Sequence, residues 1–543
     1  MQGVEKDSLC DPLLLPHDHT NVGAQADGGK KKKKTTWFDN RGEGFPEIDE
    51  VGAGSRRSTS RLNKYALWGS VLASTNSVLL GYDIGVMSGA ILYIREDMKI
   101  NSAQVEVLVG SLNVVSLLGS LAAGRISDTI GRRLTILLAA TTFLAGAVLM
   151  GLAPSFPFLV AGRLVAGVGV GFALMIAPVY AAEISPATTR GLMSSLPEVF
   201  INVGILLGYV SNYVLSGLPS DINWRLMLGL AALPAIVIGF GIMAMPESPR
   251  WMVMEGRLEE ARRVLIKVSE SKEEADFRLS EMVNFTSFGP DMHPGPCQWT
   301  GQGVWKELLW SPSRSIRRIL VAAIGVNFFM QASGNDAVIY YSPEVFREAG
   351  ISNHKHLVGV TVIMGLVKTS FVLISAMYLD RFGRRPLLLI GSIGMAVSLF
   401  GLGLGSKFLE LSGSEKPGWV IALCVVAVCM DVSFFSIGLG PVTWVYSSEI
   451  FPTRLRAQGN SLAISVNRLV SGAVAMSFLS VSKEISFGGM FLVLSGIMAL
   501  AAAFFYFRLP ETKGKSLEEI EALFEDKQYS TRRMVKEKET VRS

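Results

Sequence analysis

Polar side chains recur at helical spacing inside two long apolar runs of the sequence. Glu198 and Asn202 are four residues apart. Gln331 and Asn335 repeat this spacing, and Asp336 follows directly. Residues four apart share one face of a helix. Carboxylates accept hydrogen bonds and amides both accept and donate them, which suits a ligand rich in hydroxyl groups. The spacing therefore predicts two polar helix faces that could bind a polyhydroxylated small molecule.

Asp83 is an acid well inside the first apolar run of the chain. An acid at such depth in a membrane costs several kcal/mol unless it is paired or neutral. It is therefore either a functional group or one partner of a fixed ion pair between two helices. The histidines lie outside the apolar runs, at positions 17, 19, 293, 354 and 356. If protons cross the protein, carboxylates must carry them.

These residues lie in a chain that contains a copy of itself. Val179–Pro186 reads Val-Tyr-Ala-Ala-Glu-Ile-Ser-Pro, and Val445–Pro452 reads Val-Tyr-Ser-Ser-Glu-Ile-Phe-Pro. Two more pairs keep about the same offset, namely Gly124–Arg133 with Asp380–Arg385, and Pro246–Ser248 with Pro510–Thr512. Matching segments between apolar runs indicate a transporter that is built from two repeats.

The composition is that of a membrane protein. Of 543 residues, 49% are hydrophobic and 18% are charged, and the mean hydropathy is +0.38. About twelve runs of roughly 20 apolar residues could each cross the hydrocarbon core as a helix, which satisfies its own backbone hydrogen bonds. We therefore expect an all-α membrane protein with twelve transmembrane helices. Six lie in 65–245 and six in 316–508, where 316–346 forms the first.

The polar segments predict how the chain is oriented in the membrane. Residues 1–64 are typical of a disordered tail, 246–315 of a linker with short helices, and 509–543 of a second tail. The arginine-rich loops fall on the same side as both termini, so this side is cytosolic by the positive-inside rule. The net charge of +5 lies in these segments. No basic fold with interleaved aromatic residues supports nucleic-acid binding.

The duplicated Gly-Arg-Arg loops, the paired Glu-Ile-x-Pro segments, and Pro246–Arg250 with Pro510–Gly514 resemble the sugar porter family of the major facilitator superfamily. The resemblance covers about residues 65–515. Leu196–Asn202 and Gln331–Asp336 are most similar to the plant branch of polyol and monosaccharide proton symporters. Membership implies two six-helix bundles around a central site that opens alternately to each side of the membrane.

The resemblance also implies roles for single side chains. Asp83 matches the proton acceptor of the family's proton symporters, and Arg163 on the fourth helix matches its partner. Trp444 matches the tryptophan that stacks against the sugar and helps to close the site. The proton-coupling residues expected from this match are therefore Asp83 and Arg163.

The expected binding site departs from the wider family. Glu198 and Asp336 replace amides, and Lys368 stands where many members have asparagine. Arg468 follows Asn467 where an aromatic residue is usual. These acids and bases could neutralise one another in the cavity, unless some lie outside it at helix ends. The expected substrate-binding residues are Glu198, Asn202, Gln331, Asn335, Asp336, Lys368, Trp444, Asn467 and Arg468.

The duplicated loops predict a gate on the cytosolic side. Arginines of the loops could pair with Glu183 and Glu449, hold one state closed and separate in the other. The alternative, that these arginines only set the topology, does not explain the acid in each partner segment. The expected gate residues are Asp128, Arg132, Arg133, Glu183, Arg190, Asp380, Arg384, Arg385, Glu449 and Arg454.

The resulting hypothesis is a proton-coupled symporter that imports monosaccharides and linear or cyclic polyols and functions as a monomer in the plasma membrane, with the vacuolar membrane as the alternative. A uniporter would keep the sugar site but lack a titrating Asp83. A non-transporting sugar sensor would be expected to carry a long signalling tail. The four cysteines form no metal or disulfide framework. No nucleophile, base and oxyanion donors stand at motif spacing, so we expect no enzyme activity, no metal and no cofactor besides the coupling proton.

Overall fold

The computed structural model describes residues 63–185, 189–269, 271–287, 305–348, 354–412, 417–452, 455–515, 520 and 523–524. These residues belong to one compact unit. They are helical almost throughout, and no strand occurs among them. The all-α membrane fold expected from the sequence is confirmed. Most of the two predicted tails, 1–64 and 509–543, lies outside the described residues.

The helices fall into a first half, a linker and a second half. The first half contains α1 (Lys64–Thr75), α2 (Ser77–Met98), α3 (Ser102–Ile130), α4 (Arg132–Gly151), α5 (Phe156–Ile184), α6 (Arg190–Leu215), α7 (Ser220–Gly229) and α8 (Ala232–Met243). The linker contains α9 (Pro249–Met254), α10 (Leu258–Val268), α11 (Lys272–Ser287) and a π-helical turn at Lys306–Trp310.

The second half follows the same plan. It contains α12 (Arg314–Ala332), α13 (Asn335–Tyr340), α14 (Ser342–Glu348), α15 (His354–Phe382), α16 (Arg384–Leu411), α17 (Gly418–Ile437), α18 (Leu439–Ile450), α19 (Arg456–Ile485) and α20 (Phe487–Arg508). Because α15 begins at His354, two of the five histidines lie in its first turn and not in the preceding loop.

Eleven segments of the described chain are long and apolar enough to span a membrane. The run predicted as one helix over 316–346 is not among them, because it is divided into α12, α13 and α14. Gly334 has a φ of 78°, a left-handed conformation that ends a helix and favours glycine. Arginines at 314, 317 and 318 also lower the hydropathy of α12. The break places Asn335 and Asp336 in the first turn of α13.

Glycines let the helices of the first half approach closely. A Cβ added at Gly81 of α2 would lie 1.9 Å from the carbonyl oxygen of Ile201 on α6. A Cβ at Gly171 of α5 would lie 2.3 Å from the carbonyl oxygen of Ser116 on α3. Any larger residue would separate these backbones. This packing fixes α2 and α5, which carry Asp83 and Arg163.

The two halves meet along the whole length of α3 and α19. At one end, Glu106 accepts hydrogen bonds from the backbone N–H and the hydroxyl of Ser480, at 2.7 and 2.6 Å. Near the other end, the hydroxyls of Ser120 and Ser465 are 2.9 Å apart. The helices run antiparallel and are in contact above and below the centre of the protein.

The halves meet in the same way along α6 and α15. The hydroxyl of Thr369 donates to the carbonyl oxygen of Asn202 at 3.2 Å. Toward the end of α15, the carboxylate of Asp380 accepts from the backbone N–H of Leu192 at 3.2 Å. The structure is therefore a closed state, because α3 and α19 contact each other on both sides of the centre, and α6 and α15 contact each other at the centre and at one end.

Candidate functional site

A small polar cavity lies at the centre, between the two halves. Its volume is about 20 Å³, which is room for about one water molecule. Predicted site residues that line it are Glu198, Gln331, Asn335, Asp336, Lys368, Trp444 and Arg468. All four of the unusual charged residues therefore face the cavity, and none lies at a distant helix end. Asn202 and Asn467 contact these lining residues from behind.

Glu198 and Trp444 close one wall of the cavity. The indole Nε1 of Trp444 donates to Oε2 of Glu198 at 2.8 Å, and Asn202 Nδ2 donates to Oε1 at 3.0 Å. The helix is interrupted at Gly438, between α17 and α18. Pro441 is tolerated because it lies in the first turn of α18. Gly440 leaves space for the carboxylate, because a Cβ there would lie 3.0 Å from Oε1.

Asp336 and Arg468 form the opposite wall. Their carboxylate and guanidinium groups are 3.8 Å apart, and the hydroxyl of Ser471 donates to Asp336 at 2.9 Å. The hydrogen-bond network orients the amide of Gln331 between them. It donates to Asp336 at 2.8 Å and accepts from Arg468 at 2.7 Å. Arg468 Nε also donates to Asn467 Oδ1 at 3.0 Å.

Lys368 of α15 is the second cation of the cavity, and it is 2% exposed. Its ammonium lies 3.5 Å from Asn335 Oδ1 and 4.4 Å from the ring centre of Phe435. Both contacts are weaker than a carboxylate pair would be. The amide nitrogen of Asn335 and the amide oxygen of Asn202 have no partner among the described residues. Because Asn335 lines the cavity, its unpartnered N–H is a donor that a ligand hydroxyl could satisfy there, whereas Asn202 lies behind the lining.

Asp83 and Arg163 form a buried ion pair beside the cavity. Both carboxylate oxygens of Asp83 lie 3.1 Å from Arg163 NH1, and the two side chains are 1% and 0% exposed. Leu80 and Ile84 on the same helix line the cavity. One face of α2 is therefore directed to the cavity, while Asp83 is directed to α5. The hydroxyl of the fully buried Tyr340 has no partner among the described residues.

The predicted gate residues form two equivalent clusters at one end of the bundle, here called the arginine end. In the first half, Arg132 Nε and NH2 each donate to Glu183 at 3.1 Å, while NH1 donates to Asp128 at 3.0 Å. The Glu247 carboxylate accepts the backbone N–H of Arg132 at 2.9 Å. Burial raises the pKa of Glu247, although these backbone amides act in the opposite direction.

The second half repeats this cluster. Arg384 Nε and NH2 donate to Glu449 at 3.2 and 2.7 Å, and Arg384 NH1 lies 3.1 Å from Asp380. The Glu511 carboxylate accepts the backbone N–H of Arg384 at 3.0 Å. Each arginine–glutamate pair therefore lies within one half. Asp380 of this cluster also contacts the other half, through the backbone N–H of Leu192 on α6.

Arg133 and Arg385 pair with no acid among the described residues. Arg133 NH2 donates to the carbonyl oxygen of Met243, and Arg385 NH2 donates to that of Tyr506. Both carbonyls lie near the end of a helix, where a cation is favoured. The side chain of Arg190 and all of Arg454 lie outside the described residues.

Two buried acids of the membrane-spanning helices escaped the sequence analysis, namely Glu106 of α3 and Asp431 of α17. Asp431 of α17 is 1% exposed, and its Oδ1 has no hydrogen-bond partner among the described residues. Lys368 lies over the ring of Phe435, one helical turn from Asp431 on α17. The signal was present in the sequence, because Asp431 lies inside an apolar run in the same way as Asp83.

The model of the sugar (and other) transporter family matches residues 69–524. The chain belongs to this family. It is 52% identical to polyol transporter 5 of Arabidopsis thaliana over 467 residues, which cover 85% of this chain and 86% of the relative. It is an integral multi-pass membrane transporter, and not an enzyme.

Solved structures of the proton:xylose symporter XylE share the fold. The structure bound to 6-bromo-6-deoxy-D-glucose has a TM-score of 0.74 and 28% sequence identity, covering 86% of this chain and 100% of that chain. The inward-open structure of XylE from E. coli has a TM-score of 0.65 and 28% identity, covering 85% and 100%. The lower score of the inward-open structure agrees with the closed contacts found here.

Proposed function

We propose that this family member is a proton-coupled symporter that imports monosaccharides and linear or cyclic polyols. The observation that carries the proposal is the fully buried Asp83–Arg163 pair beside a polar cavity between two halves. A relative is named as a polyol transporter, and structures of similar fold belong to a proton:xylose symporter. We place the arginine end and both termini in the cytosol, because arginine-rich loops remain inside.

The substrate class follows from the hydrogen-bonding groups of the cavity. Asn335 offers a donor without a partner, and Glu198 adds a carboxylate that accepts only. Hydroxyl groups both donate and accept, so sugars and polyols suit this set. The indole of Trp444 supplies an apolar face for C–H groups. Since the chain carries all these groups itself, a monomer has a complete site.

Substrate entry requires the closed site to expand. At about 20 Å³ the cavity is too small for a monosaccharide. The bond from Trp444 to Glu198 joins α18 of the second half to α6 of the first, so a substrate that separates these helices must replace it. Opening at the arginine end would separate Asp380 from Leu192, and opening at the opposite end would separate Glu106 from Ser480. Alternating access would break one of these contacts at a time.

Proton coupling follows from the burial of Asp83. A charged aspartate at this depth requires its arginine, whereas a protonated one does not. Protonation would release Arg163 and favour closure around the substrate, and deprotonation toward the more alkaline cytosol would restore the pair and favour substrate release. We place the protein in the plasma membrane, where an acidic exterior supplies the driving force.

Uptake into proteoliposomes tests the proposal. Labelled D-xylose and D-sorbitol are offered with an acidic exterior, with equal pH on both sides, and with a protonophore. We expect accumulation above the external concentration only with the pH gradient. Uptake that merely equilibrates under every condition would identify a uniporter, in which the Asp83–Arg163 pair only joins two helices.

A further inference from the structure

Asp431 is the buried acid of the membrane-spanning helices that the proposed transport cycle does not use. Its side chain is 1% exposed, and Oδ1 has no hydrogen-bond partner among the described residues. Asp83, at a similar burial, has both oxygens bonded to Arg163. A buried carboxylate without partners is strongly disfavoured, whereas a protonated carboxyl group is tolerated.

Lys368 is the cation near Asp431. Asp431 and Phe435 are four residues apart on α17 and share a face, and the ammonium of Lys368 lies 4.4 Å from the Phe435 ring centre. Lys368 lines the same cavity as two acids on different helices, Glu198 and Asp336, and Asp431 lies one turn from Phe435, which also lines this cavity. The bond from Lys368 to Asn335 is long, at 3.5 Å.

The three acids differ in how their oxygens are satisfied. Glu198 accepts from Trp444 and Asn202. Asp336 accepts from Ser471 and lies 3.8 Å from Arg468. Asp431 has neither kind of partner in the described structure. It is therefore the acid of this group with the fewest partners, and the one whose carboxylate has most to gain from the ammonium.

The helices packed against α17 present few other charges to Asp431. These helices are α15, α16 and α18. Apart from Lys368, their charged and titratable residues lie toward the helix ends, at His354, Lys355, His356, Tyr378, Asp380, Arg381, Arg384, Arg385, Lys407, Glu410, Tyr446 and Glu449. Lys368 is thus the cation at the depth of Asp431 on these three helices.

We propose that Asp431 is a second proton-binding site and the alternative partner of the Lys368 ammonium. In the closed site, Asp431 carries a proton while Lys368 contacts Asn335 and Phe435. When a substrate hydroxyl takes the oxygen of Asn335, the ammonium moves one helical turn to Asp431. The carboxyl group then ionises and releases its proton to water, and the resulting carboxylate becomes the charge partner that Lys368 does not contact in the closed site. Proton binding by Asp431 does not depend on the proposed transport function. The release of this proton on substrate binding rests on that proposed function.

Infrared spectroscopy of the purified full chain in lipid nanodiscs tests the titration. A protonated carboxyl has its own C=O band, separate from that of a carboxylate. We expect a band at neutral pH in the wild type that is lost in Asp431→Asn. Asp221→Asn, which alters an exposed acid of α7, is the matched control and should keep it. A band that persists in Asp431→Asn and disappears in Glu198→Gln would overturn the proposal.

Lys368→Met supplies a second measurement in case Asp431→Asn does not fold. Without the ammonium, the Asp431 carboxylate would lose its cation, so the band should persist to more alkaline pH than in the wild type. A band with an unchanged titration would show that the two groups do not interact, which contradicts the proposal.

Proton release tests the link to substrate. D-sorbitol is added to weakly buffered Asp83→Asn protein, and a pH-sensitive dye reports proton release. This variant is used because residue 83 can then neither bind nor release a proton. We expect acidification that is absent from the Asp83→Asn, Asp431→Asn double variant. Sorbitol binding without acidification in either protein overturns the coupling. No binding of sorbitol or xylose to the wild type would instead count against the proposed substrate class, while leaving the infrared result intact.

Discussion

Trp444 donates its indole N–H to Glu198 across the central cavity, with 2.8 Å between Nε1 and Oε2. Trp444 lies on α18 of the second half and Glu198 on α6 of the first. This bond makes the carboxylate a point of contact between the two halves in the closed state. A substrate that binds between them must compete with it or use the same oxygens.

Trp444→Phe should strengthen substrate binding. An aromatic ring is kept, but the site without substrate loses the donor to the buried Glu198, which typically costs about 1–3 kcal/mol. A substrate that replaces this bond then has less to displace, which corresponds to roughly five-fold to a hundred-fold in affinity. Equilibrium binding of labelled D-sorbitol measures the change. Trp419→Phe, at a 67% exposed position of α17, is the matched control. Equal affinities of Trp444→Phe and wild type would show that the bond does not shape the site.

Asp336→Asn should weaken polyol binding more than hexose binding. The substitution removes the charge beside Arg468 and restores the amide that the resemblance gives for hexose carriers, while Ser471 keeps an acceptor. Inhibition of D-xylose uptake by D-sorbitol and by D-glucose gives the two apparent affinities. We expect sorbitol to lose about ten-fold, on the scale of one charged hydrogen bond. If both inhibitors lose equally, Asp336 does not discriminate between them.

Glu449→Gln should loosen the arginine end of the second half. It removes one of the two carboxylates that contact the 5% exposed Arg384, and Asp380 remains as the other. Breaking a buried pair completely costs about 3–5 kcal/mol, which is the upper bound here. A cysteine placed at Ser448, in a background without the native cysteines, should react faster with a thiol reagent from the arginine end. Glu410→Gln, at the opposite end of α16, serves as the control. Unchanged labelling together with normal transport would remove Glu449 from the gate.

Glu247→Ala and Glu511→Ala should destabilise the two halves by similar amounts. Each glutamate accepts the first backbone N–H groups of a helix, α4 for Glu247 and α16 for Glu511. Loss of such a cap costs about 0.5–2 kcal/mol. Thermal unfolding in detergent should show two comparable decreases that add in the double variant, against an exposed control, Glu255→Ala. A decrease for only one of them would contradict the equivalence of the clusters.

The fold expected from the sequence is confirmed for a physical reason, and seven residues expected at the binding site line the cavity, while their roles stay predictions. Apolar runs, duplicated segments and polar residues at helical spacing are local signals, and they identify Glu198, Asn335 and Asp336 without any knowledge of packing. The break at Gly334 was missed, because 316–346 is apolar enough to be taken for one helix. The division into 1–64, 65–245, 246–315, 316–508 and 509–543 stays a prediction.

Other features depend on tertiary contacts that no local pattern reveals. The sequence predicted that loop arginines pair with Glu183 and Glu449. It did not predict that each pair lies within one half of the protein. Arg133 and Arg385 belong to the same Gly-Arg-Arg motifs as Arg132 and Arg384. They nevertheless donate to backbone carbonyls and not to the glutamates. Asp431 carried the same signal as Asp83, and only its position near Lys368 makes it a candidate site.

Asp83→Asn should separate substrate binding from proton coupling. Both carboxylate oxygens bond to Arg163 at 3.1 Å in a site that is closed to solvent, so asparagine fixes the neutral form and removes the group that can exchange a proton. Exchange of labelled D-xylose across the vesicle membrane should survive, because the residues that line the cavity are unchanged. Accumulation against a concentration gradient, and its dependence on external pH, should be lost. Asp221→Asn is the matched exposed control. If Asp83→Asn still concentrates xylose with an acidic exterior, Asp83 is not the coupling site, and Glu198, Asp336 or Asp431 must supply the proton.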